Sequence, residues 1–166
     1  MKTGNYIKPL LIMLVVIIVD QFSKWLVMET FDPLESKTII PGFFDLTFIT
    51  NTGAAFGMFA GEQTVWRQVF FVGVAVLALI GLFFAYRHLQ DQGWHYVYAI
   101  GMIGGGAVGN VIDRLRFGAV IDFLDFYFGK YHWPAFNVAD SAITLGVGFF
   151  LLGNILEPKD KMVENP

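Results

Sequence analysis

Apolar positions along the chain gather into four long runs, separated by shorter polar segments. About 20 apolar residues cross the hydrocarbon core of a bilayer, so each run is a candidate span. The predicted spans are residues 9–28, 67–86, 94–112 and 138–156. The first has a clean apolar stretch, Leu10–Val19, which Asp20 and Lys24 then interrupt. The second carries no formal charge from Gln68 to Tyr86. In the third, His95 and Asn110 are the strongly polar positions, and the fourth has Asp140 in its first turn. Asp-Gln-Phe-Ser-Lys follows the first apolar stretch, without a small-residue cleavage site, so this segment is expected to be a retained helix and not a signal peptide.

The connections between spans are unequal. Residues 30–65 and 113–137 form long loops on one side, while residues 88–93 form a short one on the other. Phe44–Phe48 alternates apolar and polar residues, and Val120–Phe128 is aromatic-rich; both patterns predict strands. The expected fold is an all-α membrane protein, a four-transmembrane-helix bundle with a small β-rich cap, forming a single domain over residues 1–166. The tail after Glu157 is expected to be disordered. Gly101, Gly105 and Gly109 recur every four residues in the third span, a spacing that suits close helix packing in membranes. A phosphate-binding loop is not expected there, because no strand precedes and no Lys-Ser/Thr follows.

Composition supports the membrane class. Of 166 residues, 55% are hydrophobic and 15% charged, against about 25% charged in a soluble domain. Mean hydropathy is +0.58. The net charge of −3 gives no reason to expect nucleic-acid binding. Cysteine is absent, which excludes disulfides, thiol nucleophiles and lipidation of the chain's own cysteine. Trp25, Trp66, Trp94 and Trp133 all lie near span ends, where an interfacial aromatic belt would put them. Lys and Arg do not orient the bundle. Lys2, Lys8, Arg87, Lys159 and Lys161 lie on the terminal side, and Lys37, Arg67, Arg114, Arg116 and Lys130 on the other.

Candidate chemistry resides in carboxylates. Asp20, Asp113, Asp122, Asp125 and Asp140 all lie in or beside apolar segments, and helix order brings several of them to one end of the bundle. Charge in hydrocarbon is costly, so such residues face a cavity or a partner. Several have structural readings. Asp20 and Lys24 are spaced i, i+4 and can pair. Asp113 can pair with Arg114 or anchor a helix end to the following loop. Asn137 can cap the fourth helix, with Asp140 favoured at its third position. Asp122 and Asp125 point to opposite faces of a strand, so only one of them can readily face Asp140. His88, His95 and His132 are scattered, so no metal site is expected. Ser23 and Ser141 lack a histidine in an obvious pairing position, and Ser23 and Lys24 point apart on a helix. A pair of acids remains. Two close carboxylates share one proton, and they can work as base and acid on water and a peptide carbonyl without metal or cofactor.

Five ordered blocks resemble the lipoprotein signal peptidases, also called signal peptidase II. They are Asp20-Gln21-Phe22-Ser23-Lys24, Asn51-Thr52-Gly53-Ala54-Ala55-Phe56-Gly57, the run Gly105–Arg114, Val120-Ile121-Asp122-Phe123, and Phe136-Asn137-Val138-Ala139-Asp140-Ser141. Val108, where a larger aliphatic residue is expected, is a minor departure. The resemblance implies that Asp122 and Asp140 are the catalytic dyad. It implies that Asp20, Asn51, Asn110, Asp113, Arg114 and Asn137 line or brace the site, with Lys24 and Gly53 in the same blocks. It further implies an aspartic endopeptidase of the bacterial inner membrane, with both termini cytoplasmic and a periplasmic cap. Its substrate would be a diacylglyceryl-modified prolipoprotein, cut on the N-terminal side of the lipidated cysteine. The bilayer and that substrate are the expected partners, the chain is taken as a monomer, and no cofactor is expected. Asp125 receives no role from the resemblance. The rival classes are a proton-coupled transporter, since buried acids also serve relays, and a non-catalytic assembly subunit suggested by the glycine faces.

Overall fold

The structure is a computed structural model, and it describes residues 6–53, 61 and 64–156. Residues 54–57 of the second motif block, the tail after residue 156, and Lys2, Lys159 and Lys161 of the charge comparison lie outside the described residues. Among the described residues the chain forms four long helices and four strands, two strands following the first helix and two following the third. They are α1 (Ile7–Thr30), β1 (Ser36–Ile40), β2 (Phe44–Asn51), α2 (Val65–Leu89), α3 (Trp94–Phe117), β3 (Val120–Phe128), β4 (Tyr131–His132) and α4 (Val138–Leu156).

Helix α3 is the centre of the helical layer and packs against α1, α2 and α4. Its glycines make this possible. A Cβ on Gly101 or Gly105 would lie 2.7 Å from Cβ of Ile12 or Val16 in α1, and one on Gly106 would meet the Ala139 carbonyl of α4. The four-residue glycine spacing is thus a packing face, as expected. Among the described residues, α1, α2 and α4 are long and apolar enough to cross a membrane by length and composition. Helix α3 is as long but less apolar. Glycines, His95 and Asn110 replace large aliphatics, and eleven of its residues are buried against neighbours instead of facing outward.

Helix α3 also runs five residues past the expected end at 112, to Phe117. Asp113 and Arg114 are therefore helical and do not begin a loop. The stop is Gly118, in the left-handed region at φ 74°, whose N–H bonds the Arg114 carbonyl at 3.0 Å. Strand β3 begins two residues later, so the end of α3 and the start of β3 are rigidly coupled.

The strands form one antiparallel sheet in the order β1-β2-β3-β4. Strand β2 extends the expected segment to Asn51, and β1, fully exposed, was not foreseen. Asn51 pairs with Val120, Ile49 with Asp122 and Asp45 with Asp125, with a register shift between Leu46 and Ile49. This sheet caps the bundle end that carries the acids. None of the four tryptophans is buried, which fits interfacial positions better than core packing.

Candidate active site

Asp122 and Asp140 line the same cavity, about 710 Å³ in volume, between the sheet and the ends of α2, α3 and α4. Asp122 is in the buried half of β3 and is 3% exposed. Asp140 is in the first turn of α4. Asn137 caps that helix as expected: its Oδ1 accepts the Asp140 N–H at 2.9 Å. With the amide oxygen so used, Asn137 Nδ2 donates to Asp122 Oδ1 at 2.8 Å and to the Ile121 carbonyl at 3.1 Å. One fully buried asparagine therefore joins the Asp122 carboxyl to the Asp140 backbone. Asn51, across the sheet, donates to Asp122 Oδ2 at 3.1 Å, and Asn110 of α3 donates to Asp140 Oδ1 at 2.8 Å.

These contacts set the electrostatics of Asp122. Burial is the largest influence and the charge of Asp140 the next; together they push its pKa from 3.8 up to about 7. The Asn51 and Asn137 donors and the positive charge of Lys24 pull partly the other way. A carboxylic acid that keeps its proton near neutral pH beside a second acid is the asymmetry that acid–base hydrolysis requires.

Beside Asp122 and Asp140 lies a buried ionic cluster. Lys24 Nζ is 2.9 Å from Asp20 Oδ2 and 2.7 Å from Asp113 Oδ2, with all three side chains at most 1% exposed. The i, i+4 pair is present as expected. Asp113 departs from expectation in its ionic partner, which is Lys24 and not Arg114. Side chains on one helix at adjacent positions diverge, whereas α1 and α3 approach closely at Gly109, where a Cβ would lie 2.6 Å from Asp20 Oδ2. The expected anchoring role of Asp113 is present, since its Oδ2 accepts the Ile121 N–H at 3.2 Å. Asp20 Oδ1 accepts the Ala139 N–H at 2.9 Å, placing a carboxylate on the N-terminal turn of α4. Gln21 joins the cluster by donating to Asp113 Oδ1 at 2.9 Å and the Gly109 carbonyl at 3.2 Å. Its place in the first motif block was the available signal.

Arg114 lines the cavity, reaches the Gly53 carbonyl at 2.9 Å and lies over the Phe71 ring. Gly53 N–H bonds Asn51 Oδ1 at 2.9 Å, which turns the Asn51 amide nitrogen toward Asp122. The structure thus brings Asp122, Asp140, Asn51, Asn110 and Arg114 to one cavity, with Asn137 and Gly53 bonded to them from outside its lining and Asp20, Lys24 and Asp113 in the ion cluster. It leaves Asp125 aside. Asp125 pairs with His132 at 2.9 Å on the outer face of the sheet, three residues and one face away from Asp122. Ser23 and Ser141 spend their hydroxyls on the backbone carbonyls of Asp20 and Asn137. No group of three or more metal-ligating side chains occurs among the described residues. The apolar wall of the cavity was not singled out by the sequence. Phe71 and Val74 of α2, Trp133 and Phe136 of the connection before α4, and Ile143 of α4 come from three separate segments.

A family model described as Signal peptidase (SPase) II matches residues 12–156. The lipoprotein signal peptidase of Syntrophus aciditrophicus is 44% identical over 160 residues, covering 93% of this chain and 98% of that one. The lipoprotein signal peptidase of Desulforapulum autotrophicum is 47% identical over 153 residues, covering 91% and 93% respectively. A solved bacterial membrane enzyme superposes with a TM-score of 0.78 at 31% identity, over 95% of this chain and 93% of that one. A second superposes with a TM-score of 0.73 at 33% identity, over 90% and 94%.

Proposed function

The chain belongs to the signal peptidase II family, and on that premise we propose that Asp122 and Asp140 form its catalytic dyad. As a member it is a multi-pass protease of the bacterial inner membrane that removes signal peptides from prolipoproteins, with the bilayer and the prolipoprotein as its partners. The observation that supports the dyad is the shared cavity in which Asp122, pushed up to about 7, lies beside Asp140. Asp122 acts as the acid and Asp140 as the base. Asp140 takes a proton from a water held between them, and the water oxygen bonds to the scissile carbonyl carbon. Asp122 hydrogen-bonds the carbonyl oxygen as it gains charge. The tetrahedral intermediate collapses with cleavage of the C–N bond, and a proton passes to the leaving amine. Atoms balance as peptide plus water giving carboxylate and amine, with no metal or cofactor in the step.

The whole described chain forms one peptidase domain. All four helices, α3 included, span the membrane, with both termini cytoplasmic, the sheet on the periplasmic side and the chain acting as a monomer. Support for α3 as a span is its central position between α1, α2 and α4. A helix surrounded by other helices does not need a lipid-facing apolar surface. The substrate requirement is the diacylglyceryl group on the cysteine after the cut. Two acyl chains hold a substrate in the bilayer far more firmly than one, at about 0.8 kcal/mol per buried CH₂. They also confine the scissile bond to the depth of the dyad. The test is cleavage by purified protein in lipid. The diacylated prolipoprotein is cut, and its unmodified precursor stays largely intact. Equal cleavage of both forms would remove the lipid requirement.

A further inference from the structure

The apolar face of β3 does not end where the cavity ends. Side chains alternate along a strand, so Asp122, Leu124, Phe126 and Phe128 share one face. At its inner end that face carries Asp122 into the cavity, and burial falls along the strand toward Phe128. Phe126 is still covered, with its ring stacked on Phe44 at 4.6 Å and on Phe136 at 5.8 Å. Beyond it the cover stops. Phe128 is 83% exposed, and Tyr131, its direct partner on β4 and so on the same face, is 73% exposed. Lys130, in the turn between them, holds its ammonium 5.6 Å from the centre of the Tyr131 ring. The tip of the hairpin is thus two bare aromatic rings and a lysine.

Water is a poor neighbour for such a pair, and the fold supplies a better one. Phe128 and Tyr131 present the face that Asp122 turns toward the helix ends, so the tip overhangs the level at which the helices leave the bilayer. Trp133, directly after β4, lines the same cavity as Val74 of α2 and Leu145 of α4, both exposed on the apolar flank of the bundle. The hairpin is therefore continuous with the lipid-facing surface. Aromatic rings beside a cation suit the headgroup level of a bilayer. We propose that the tip Phe128–Tyr131 is a bilayer anchor whose partner is the phospholipid of the leaflet on the sheet side, and that it sets the depth at which Asp122 and Asp140 meet the scissile bond. The connection is stiff. Gly129 makes the turn at φ 60°, the Tyr127 ring stacks on His132 at 4.8 Å, and the Trp133 N–H bonds the Phe126 carbonyl at 2.7 Å. Asp122 lies six residues along the same strand from Phe128, about 20 Å at about 3.3 Å per residue, so the depth of the tip is passed on to the acid. The inference rests on the reading of Asp122 and Asp140 as the dyad and of the helices as spans.

The chain has no cysteine, so Phe128→Cys and Asp45→Cys can each carry a single nitroxide label. Asp45 pairs with Asp125 and so lies on the opposite face of the sheet. The full chain is placed in nanodiscs of phosphatidylethanolamine and phosphatidylglycerol. The label at 128 should be open to oxygen and shielded from a water-soluble nickel chelate by about threefold or more relative to the label at 45, as for a group held at the headgroup boundary. Equal access of nickel to both labels would overturn the proposal. Shielding that is lost when the protein is diluted into excess lipid would assign the tip to a second copy of the chain, and would overturn it too. Turnover supplies a second arm. Phe128→Ser combined with Tyr131→Ser should lower kcat/KM for a diacylated prolipoprotein about tenfold in nanodiscs, the order expected for one large aromatic withdrawn from an apolar surrounding, and by less than about twofold in detergent micelles, which offer no flat leaflet to set a depth. Equal losses in the two media would overturn the depth role, since local damage to the fold gives that result. The label measurement needs no turnover. If Asp122→Asn or Asp140→Asn kept activity, the dyad would fall, and the label at 128 would still decide the anchor.

Discussion

Replacing Asp122 by asparagine should stabilise the protein at alkaline pH while it removes activity. In the folded chain Asp122 binds its proton more tightly than an ordinary aspartate, with its pKa raised from 3.8 to about 7. Between those values the folded state keeps a proton that the unfolded chain has released. Stability contributed by this group is therefore fully present below about pH 4 and is lost as pH rises through about 7. At about 1.36 kcal/mol per pH unit over about three units, the loss approaches about 4 kcal/mol. Asparagine has the same shape and no charge. It forces an NH₂ against the Asn51 donor, which costs about 1 kcal/mol, but the protonated acid meets a similar conflict at low pH. Near pH 4 the two proteins should unfold alike, and well above neutral pH Asp122→Asn should be more stable by about 3 to 4 kcal/mol. Denaturant unfolding in bicelles at both pH values measures this. A parent protein that keeps its stability relative to Asp122→Asn across that range would refute the assignment of a buried, proton-retaining acid.

Other expectations follow from the same geometry. Above about pH 7 the acid that must donate is ionised, so kcat/KM should fall toward a tenfold loss per pH unit, and a flat alkaline profile would contradict the acid role of Asp122. Asp125→Asn breaks only the half-exposed pair with His132; turnover should stay within about twofold, and stability should change by less than about 1 kcal/mol. Gly106→Ala would push a methyl into the Ala139 carbonyl and to 2.7 Å from Ile143 Cγ1, costing about 1 to 3 kcal/mol in unfolding assays and lowering turnover as the first turn of α4 moves. Strong chelators should leave cleavage unchanged, and restoration by zinc after chelation would require a metal mechanism.

What the sequence disclosed and what it withheld divide along contact distance in the chain. The Asp20–Lys24 pair, the Asn137 cap on Asp140 and the separation of Asp122 from Asp125 follow from periodicity within one helix turn or one strand. The strands were visible where apolar and aromatic residues concentrate, at Phe44–Phe48 and Val120–Phe128. Strand β1, Ser36–Ile40, has no buried face, and so it left no alternation to read. Lys24 meeting Asp113, 89 positions away, depends on how closely α1 and α3 approach at Gly109. The glycine spacing predicted close packing without naming the partner. Helix α3 reached beyond its apolar stretch because its end is set by Gly118 and not by hydropathy. Asn110 was seen as a motif residue. Its place between Lys24 and Asp140 depends on how α1, α3 and α4 pack together.

The central claim, that two acids divide the chemistry, is tested most directly by single substitution. Asp122→Asn and Asp140→Asn are each purified in lipid, shown to be inserted and folded by their unfolding transitions, and assayed on a diacylated prolipoprotein. Each should lose nearly all cleavage, on the order of a thousandfold or more, as expected when half of an acid–base pair is removed from a concerted unit. A well-folded Asp140→Asn protein that turns over at close to the parent rate would contradict the account.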